Sequence, residues 1–316
     1  MKKEYWLAAV LLVGMTACSN DETGNATTGD AAAALFTGSI EAPHTRAFDQ
    51  TWEDGNQIGI SGTTGGKTYT NICYNYAGAG DETFTAAAEK IYYQDNKGVT
   101  FTAYYPWAES LTASTTITAN TQGQANQKTF DFLYAQAEGQ KDVKVNFNFK
   151  HRMSKLVLTV KAGADMTYDD VKNAVCYLEH FLYEGTFDRT IGIATAIGNP
   201  CVMWAFANNT TQDGENFNTP TISENEAEGS VSYTLILFPQ TFPSSAGILT
   251  FYAETGGNTY SAEIDLSKVH GNDSANELKA GTQYNITVNL NKTGLTVGES
   301  TISAWKEMDY SIDANM

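Results

Sequence analysis

Four stretches of this chain alternate apolar and polar residues with a period of two, and that pattern leaves few folds open. Val143, Val145, Phe147 and Phe149 interleave with Lys144, Asn146, Asn148 and Lys150; after His151-Arg152-Met153 come Leu156, Leu158 and Val160. Val231, Tyr233, Leu235 and Leu237 repeat the pattern, as do Tyr284, Ile286, Val288 and Leu290. Successive residues of a strand point to opposite faces, so each set predicts a half-buried strand whose sheet covers a core on one side. Shorter strand candidates lie at Ile58–Ser61, Tyr69–Tyr76, Val99–Tyr105, Phe130–Tyr134 and Leu249–Tyr252. Many short strands spaced by Gly-containing turns predict β-sandwiches. One set closes near residue 150 and another begins at Leu156, so two sandwiches in tandem are expected, and 316 residues are enough for about two cores. Charged residues are only 17% of the chain, while Thr, Asn, Gly and aromatics are abundant, the usage of an exposed all-β protein.

One stretch is ambiguous. Val171, Val175, Leu178 and Leu182 have near-helical spacing, yet Cys176–Tyr183 is apolar and aromatic enough for a strand, which is the reading taken here. Asp169 and Asp170, being adjacent, then point to opposite faces and make no carboxylate pair.

Few functions survive the composition. Lys plus Arg total 19 against 36 Asp plus Glu, a net charge of -17 that repels phosphate backbones and excludes nucleic acid as a partner. The histidines (His44, His151, His180, His270) are scattered and no CxxC pair exists, so no metal site is expected. With Cys18 set aside for lipid attachment, Cys73, Cys176 and Cys201 form an odd set, and no structural disulfide is expected. Ser61-Gly62-Thr63-Thr64-Gly65-Gly66-Lys67-Thr68 looks like a phosphate loop, but Ser61 stands where the first Gly belongs and a strand pattern follows, so a hairpin turn is the better reading. No GxSxG elbow or HExxH helix is present, so no catalytic residues, no cofactor and no enzymatic activity are expected. Tyr104-Tyr105-Pro106-Trp107 either stacks on sugars or, more often for a strand end, caps a core.

The two ends of the chain carry the functional signals. Lys2 and Lys3, an apolar run from Trp6 to Val13, and Met15-Thr16-Ala17-Cys18 resemble a bacterial lipoprotein signal (residues 1–17) with Cys18 as the acylated residue. Ser19-Asn20-Asp21-Glu22 looks like an acidic signal for export to the outer surface, or is an ordinary tether that runs to about Ala34. Residues 34–40 then read as one strand with Phe36 and Ile40 on a common face, followed by the Pro-containing loop 41–47. Of the three arginines, Arg152 and Arg189 lie in or beside strands; Arg46 alone sits in this loop and is the candidate for cleavage, giving Ala47 as a new N-terminus. At the other end Met308, Tyr310, Ile312 and Ala314 alternate with polar residues, either as a last strand of the second sandwich or as a strand that serves another molecule.

The lipoprotein signal resembles that of the fimbrillin family, the type V pilus subunits of Bacteroidetes-type bacteria. So do Thr45-Arg46-Ala47, Thr51 to Ile60, Phe101 to Pro106, Asp131 to Ala135, Phe149 to Leu156, Tyr284 to Leu295 and Trp305. The resemblance implies two tandem transthyretin-like (Greek-key type) β-sandwich domains at 47–150 and 151–316, preceded by a propeptide at 18–46. It implies an outer-membrane lipoprotein precursor, held to the membrane only by its lipid, and removal of the segment through Arg46 by an arginine-specific protease. Loss of that segment opens a groove for a strand from a neighbouring subunit. The partners implied are other fimbrillin subunits and host or bacterial surface ligands, the location an extracellular fimbrium. The alternative is a surface lipoprotein that binds glycans, or anchors or caps a fimbria, without polymerising. Asp273-Ser274-Ala275 looks like a short O-glycosylation acceptor.

Overall fold

A computed structural model describes residues 32–41, 51–78, 82–109, 114–208, 211–212, 215–216, 220–242, 249–268 and 276–305. The first half contributes β1 (Phe36–Ile40), β2 (Gln57–Thr64), β3 (Lys67–Tyr76), β4 (Thr83–Ala86), β5 (Val99–Tyr105), β6 (Thr116–Asn120), β7 (Leu133–Gly139) and β8 (Val145–His151). Next come β9 (Ser154–Ala162), α1 (Tyr168–Lys172), β10 (Val175–Glu179), β11 (Glu184–Asp188), β12 (Ile193–Ile197), β13 (Trp204–Ala207), β14 (Thr211–Gln212), β15 (Glu215–Asn216) and β16 (Thr221–Asn225). The chain continues through β17 (Ser230–Leu237), β18 (Gln240–Thr241), β19 (Leu249–Thr255), β20 (Asn258–Ile264), β21 (Glu277–Leu278), β22 (Thr282–Asn291) and β23 (Gly294–Ala304). The protein is all-β, and its one α-helix among the described residues has five residues.

Seven strands close on themselves in the order β1-β4-β3-β2-β5-β7-β8, so the first half is a barrel rather than two separate sheets. The alternation in β8 is realised residue by residue: Val145, Phe147, Phe149 and His151 are buried while Asn146, Asn148 and Lys150 are exposed. Val143 falls outside the strand and is 56% exposed, because Asp142 takes a left-handed conformation (φ 65°) that turns the chain just before the ladder begins. Gly65 and Gly66 form the two-residue turn between β2 and β3, both with positive φ (52° and 83°), and Thr64 pairs with Lys67 across it. Such a turn matches strand twist and suits glycine, which accounts for the Gly-rich stretch without a phosphate.

The second half is a sandwich of a five-stranded sheet (β16-β17-β9-β22-β23) on a four-stranded one (β13-β10-β19-β20). The other three periodic sets supply β9, β17 and β22, and their inward residues pack with Cys176, Leu178, Phe206, Leu249 and Phe251 in one core. The ambiguous stretch resolves into two elements. Thr167 caps α1 through a reciprocal hydrogen-bonded box with Asp170, so Asp169 and Asp170 occupy the first turn of a helix and not a strand. Val175–Glu179 is then β10, and the strand reading holds for that part. The signal for the helix start was present in Thr167-Tyr168-Asp169-Asp170.

Between β5 and β7 the chain leaves the barrel: β6 pairs with β11 in a three-stranded sheet, β12-β11-β6. Below it lies an apolar seam where Tyr104, Phe130, Phe132 and Tyr134 meet Met153, Phe187, Ile236, Phe238 and Trp305. Phe132 and Phe187 stack with centroids 4.5 Å apart and planes 4° from parallel. Tyr104 is buried here with its hydroxyl donating to Asn71 Oδ1 at 2.7 Å, so this aromatic stretch begins as core and not as an exposed platform. The seam makes a prediction. Phe187→Ala removes a ring from a fully buried site and is expected to destabilise the chain by about 3–5 kcal/mol, read from denaturant unfolding followed by tryptophan fluorescence. A loss below about 1 kcal/mol would mean the seam is loosely packed.

Candidate functional site

The site that the chain's organisation singles out is the place of β1 in the barrel. β1 runs parallel to β8, with Phe36 opposite Val145 and Ile40 opposite Phe149, and antiparallel to β4, with Phe36 opposite Phe84. Leu35 is 55% exposed while Phe36 is fully buried, the alternation expected of a strand with one wet face. The Phe36 ring meets Tyr74 and Phe101 edge-on at 5.1 and 5.2 Å and stacks on Phe147 at 5.7 Å. Ile40, on the same face, is half-buried against the same core. The backbone is tied along its length: Val145 N–H donates to Leu35 O (2.8 Å), Gly38 N–H to Glu82 O (3.0 Å) and Glu41 N–H to Phe149 O (2.8 Å).

Gly38 sits between the two apolar residues because nothing larger fits. A Cβ there would lie 2.9 Å from the Phe149 ring and 3.2 Å from that of Phe84. The indole of Trp52 seals this end: Nε1–H donates to Gly38 O at 2.7 Å, and the ring meets Phe84 and Phe149 edge-on, each at 5.1 Å. Sequence reasoning found Phe36 and Ile40 by alternation but passed over Gly38 and the role of Trp52, whose partners are distant in the chain.

A second cluster lies at the foot of the C-terminal segment. His151 Nδ1 is 2.9 Å from Asp131 Oδ1, both groups largely buried, and its ring stacks on Trp305 at 3.7 Å with planes 6° apart. Lys155 Nζ lies 5.4 Å from the same indole, and the backbone N–H of Trp305 donates to Gly281 O at 2.9 Å. Scattered in sequence, His151 was set aside as a lone histidine; the fold gives it a carboxylate and an indole. Among the described residues no group of three or more His, Cys, Asp or Glu is placed to hold a metal ion, and no helix is long and apolar enough to cross a membrane.

The other sequence-derived sites fall as follows. Cys18, Arg46, Ala47, Met308, Tyr310, Ile312, Ala314 and Asp273-Ser274-Ala275 lie outside the described residues. Arg152 and Arg189 are both held by structure. Arg152 N–H donates to Phe132 O at 2.8 Å, and its guanidinium lies 5.2 Å over the Tyr134 ring, where burial lowers its pKa. Arg189 is 4% exposed, and its Nη2 donates to Ser114 O at 3.2 Å. The thiols of Cys73, Cys176 and Cys201 are free. Burial pushes the Cys176 thiol up to about 12 and that of Cys201 to about 11, so both stay protonated near neutral pH. Where α1, β20 and the turn after β22 meet, an open cavity of about 610 Å³ is lined by Asp170, Asn258, Thr259, Tyr260, Ser261 and Lys292.

Residues 45–305 match a family described as fimbrillin-like. A curated relative, the fimbrium-subunit candidate Fim1C of Bacteroides uniformis, is 33% identical over 202 residues, covering 61% of this chain and 67% of its own. Two solved structures of cell-adhesion candidates share the fold. One, from Bacteroides ovatus, has a TM-score of 0.68 at 23% identity, over 89% of this chain and all of its own. The other, from Bacteroides uniformis, has a TM-score of 0.66 at 24% identity, over 87% and 98%. An all-β chain with an N-terminal strand seated in its own barrel is thus matched along most of its length by fimbrial and adhesion proteins. The chain belongs to the fimbrillin-like family. Membership implies a subunit of cell-surface fimbriae whose partners are other fimbrial subunits.

The packing of β1 is testable. Phe36→Ala is expected to lower stability by about 3–5 kcal/mol and Leu35→Ala by less than about 0.5 kcal/mol, since only the first empties a buried site. Thermal or denaturant unfolding of the two variants checks the contrast, and equal losses would show that the strand is not seated as described.

Proposed function

We propose that this chain is a structural subunit of an adhesive fimbrium, exported as a lipoprotein acylated at Cys18, cleaved after Arg46 and polymerised by strand exchange. The observation that carries this reading is β1. Five residues that end six positions before Arg46 occupy a full strand position of the barrel, with Phe36 buried in its core. Cleavage after Arg46 severs β1 from the rest of its barrel, leaving only non-covalent contacts to hold it. Once β1 is gone, β4 and β8 have unpaired edges, and an apolar channel remains between Phe84, Phe101 and Phe147. Exposed edges and channels of this kind are relieved by an added strand. Met308, Tyr310, Ile312 and Ala314 of a neighbouring copy have the alternation such a strand needs, and they follow in sequence on Trp305, which is buried and stacked on His151. In this reading residues 47–150 and 151–316 are the two transthyretin-like domains, and the propeptide 18–46 is a placeholder.

Arg46 is favoured over the other arginines because Arg152 and Arg189 each follow directly on a strand and have their backbone N–H groups hydrogen-bonded, to Phe132 O and Thr115 O. A trypsin-like protease binds extended chain, and limited trypsin digestion of the precursor is expected to yield one main product starting at Ala47. Earlier cleavage at Arg152, Arg189 or a body lysine would overturn the assignment. Deleting residues 308–316 is expected to leave a folded, Arg46-cleavable protein that no longer forms denaturation-resistant multimers on gels. A truncated chain that unfolds outright would assign the segment to its own sandwich.

The alternative is a surface lipoprotein that keeps its N-terminus and binds glycans or caps a fimbria. The polar cavity around Tyr260 and Lys292 is the observation that favours it, since an aromatic ring beside amide and hydroxyl groups suits a sugar. The N-terminus of protein sheared from cells separates the two: Ala47 for the polymer, acylated Cys18 for the binding or capping subunit.

A further inference from the structure

Strand β12 lies at the edge of the three-stranded sheet, paired with β11 on one side and with no other strand among the described residues. Its outward face is apolar: Ile193 is 54% and Ile197 42% exposed, with Ile191 just before at 58%. Its inward face is small, Ala194 and Ala196 resting on the seam core. Native proteins protect such an edge with Lys, Pro or inward charge, yet residues 190–198 carry no charge and no proline. An unprotected, β-branched edge on a chain of net charge -17 is the place where another strand can be added with least repulsion.

The sequence of that edge identifies the strand that fits it. Gly192-Ile193-Ala194-Thr195-Ala196-Ile197-Gly198 reads the same in both directions. In an antiparallel pair made by a two-fold axis through Thr195, every residue meets its own kind: Ile193 faces Ile197 of the second copy, Ala194 faces Ala196, and Thr195 faces Thr195. A two-fold interface requires this self-complementarity, because each copy presents the same patch. The two glycines end the strand in positive φ (67° and 93°), which confines the matched segment to the five residues between them. Four isoleucines would then line the outer face in cross-strand contact, with Cβ atoms about 4.5–5.5 Å apart. The alanines below leave the joined sheet free of bulk where it meets the two seams.

Charge is consistent with the same partner. The nearest acids on this face, Glu184 and Asp188, lie on β11, one strand in from the edge. Two such strands in a joined sheet are three strand spacings apart, about 14 Å, beyond the screening length of about 8 Å at physiological salt. We propose that the β12 edge is a self-association surface through which two copies of this chain pair antiparallel about Thr195, side by side, forming a six-stranded sheet. This contact is separate from the β1 groove and does not require cleavage at Arg46.

The test uses the full 316-residue chain expressed without lipid. Analytical ultracentrifugation over a rising concentration series is expected to show mass moving from 34.3 kDa toward twice that value, undiminished by added salt. Thr195→Cys places a thiol at the two-fold axis, where facing Cα atoms are within disulfide range. Under mild oxidation it is expected to give covalent dimers at least tenfold faster than Thr118→Cys, exposed on β6 at the other side of the same sheet. Ile193→Lys with Ile197→Lys, both at exposed positions, is expected to keep the melting temperature and abolish the association. The proposal is overturned if the chain stays monomeric at hundreds of micromolar while the two cysteine variants link equally. It is also overturned if the lysine variant, folded, still associates, or if salt disperses the dimer.

Discussion

The parallel ladder between β1 and β8 is what converts a run of seven strands into a closed barrel. Without β1, β4 and β8 are edges, and the aromatic interior of Tyr74, Phe84, Phe101 and Phe147 opens along one side. Closure concentrates a large consequence on a short element. Five residues supply two sets of backbone hydrogen bonds, one fully buried ring and the floor on which Trp52 rests. Gly38 shows how closely the interior is fitted around this strand, since even a methyl group would press on two phenylalanine rings.

The two halves are joined by more than chain continuity. β6, from the first half, completes the sheet of β11 and β12 from the second, and the seam beneath mixes aromatics from both. The buried His151–Asp131 pair lies there as well, with Trp305 stacked against it. Trp305 is thereby set against the end of β8, one of the two strands that flank β1.

How much of this was legible in the sequence varied with the range of the interaction responsible. Strands β8, β9, β17 and β22 were readable because each buries one face, and burial leaves a period-two mark in the local residues. Phe36 and Ile40 were found by the same mark. The exit of β6 from the barrel was not readable, because Thr116–Asn120 carries little apolar contrast and its partner lies about 70 residues away. Closure into a barrel, the Trp52 seal and the His151–Asp131–Trp305 stack all rest on non-local pairing, which leaves no periodicity behind. The short helix was missed for another reason: its capping box was present, but one turn of helix is too brief for a 3.6-residue repeat to stand out.

The distance along the chain between β1 and its partners bears on how such a subunit is made. Thr37 and its neighbour Asn146 are 109 positions apart, and a chain is synthesised from its N-terminal end. Of the barrel strands β1 therefore emerges first; its short antiparallel pairing with β4 can form once residues 83–84 have followed, but its five-residue ladder with β8 must wait for residues 145–149, so the earliest strand is among the last to be fully seated. Loop closure over that span is slow compared with forming the local hairpins β2–β3 and β22–β23. Until the barrel closes, the growing protein carries an open channel and a loose strand in the same molecule. The covalent link between them keeps the local concentration of the correct occupant high while competing strands are dilute.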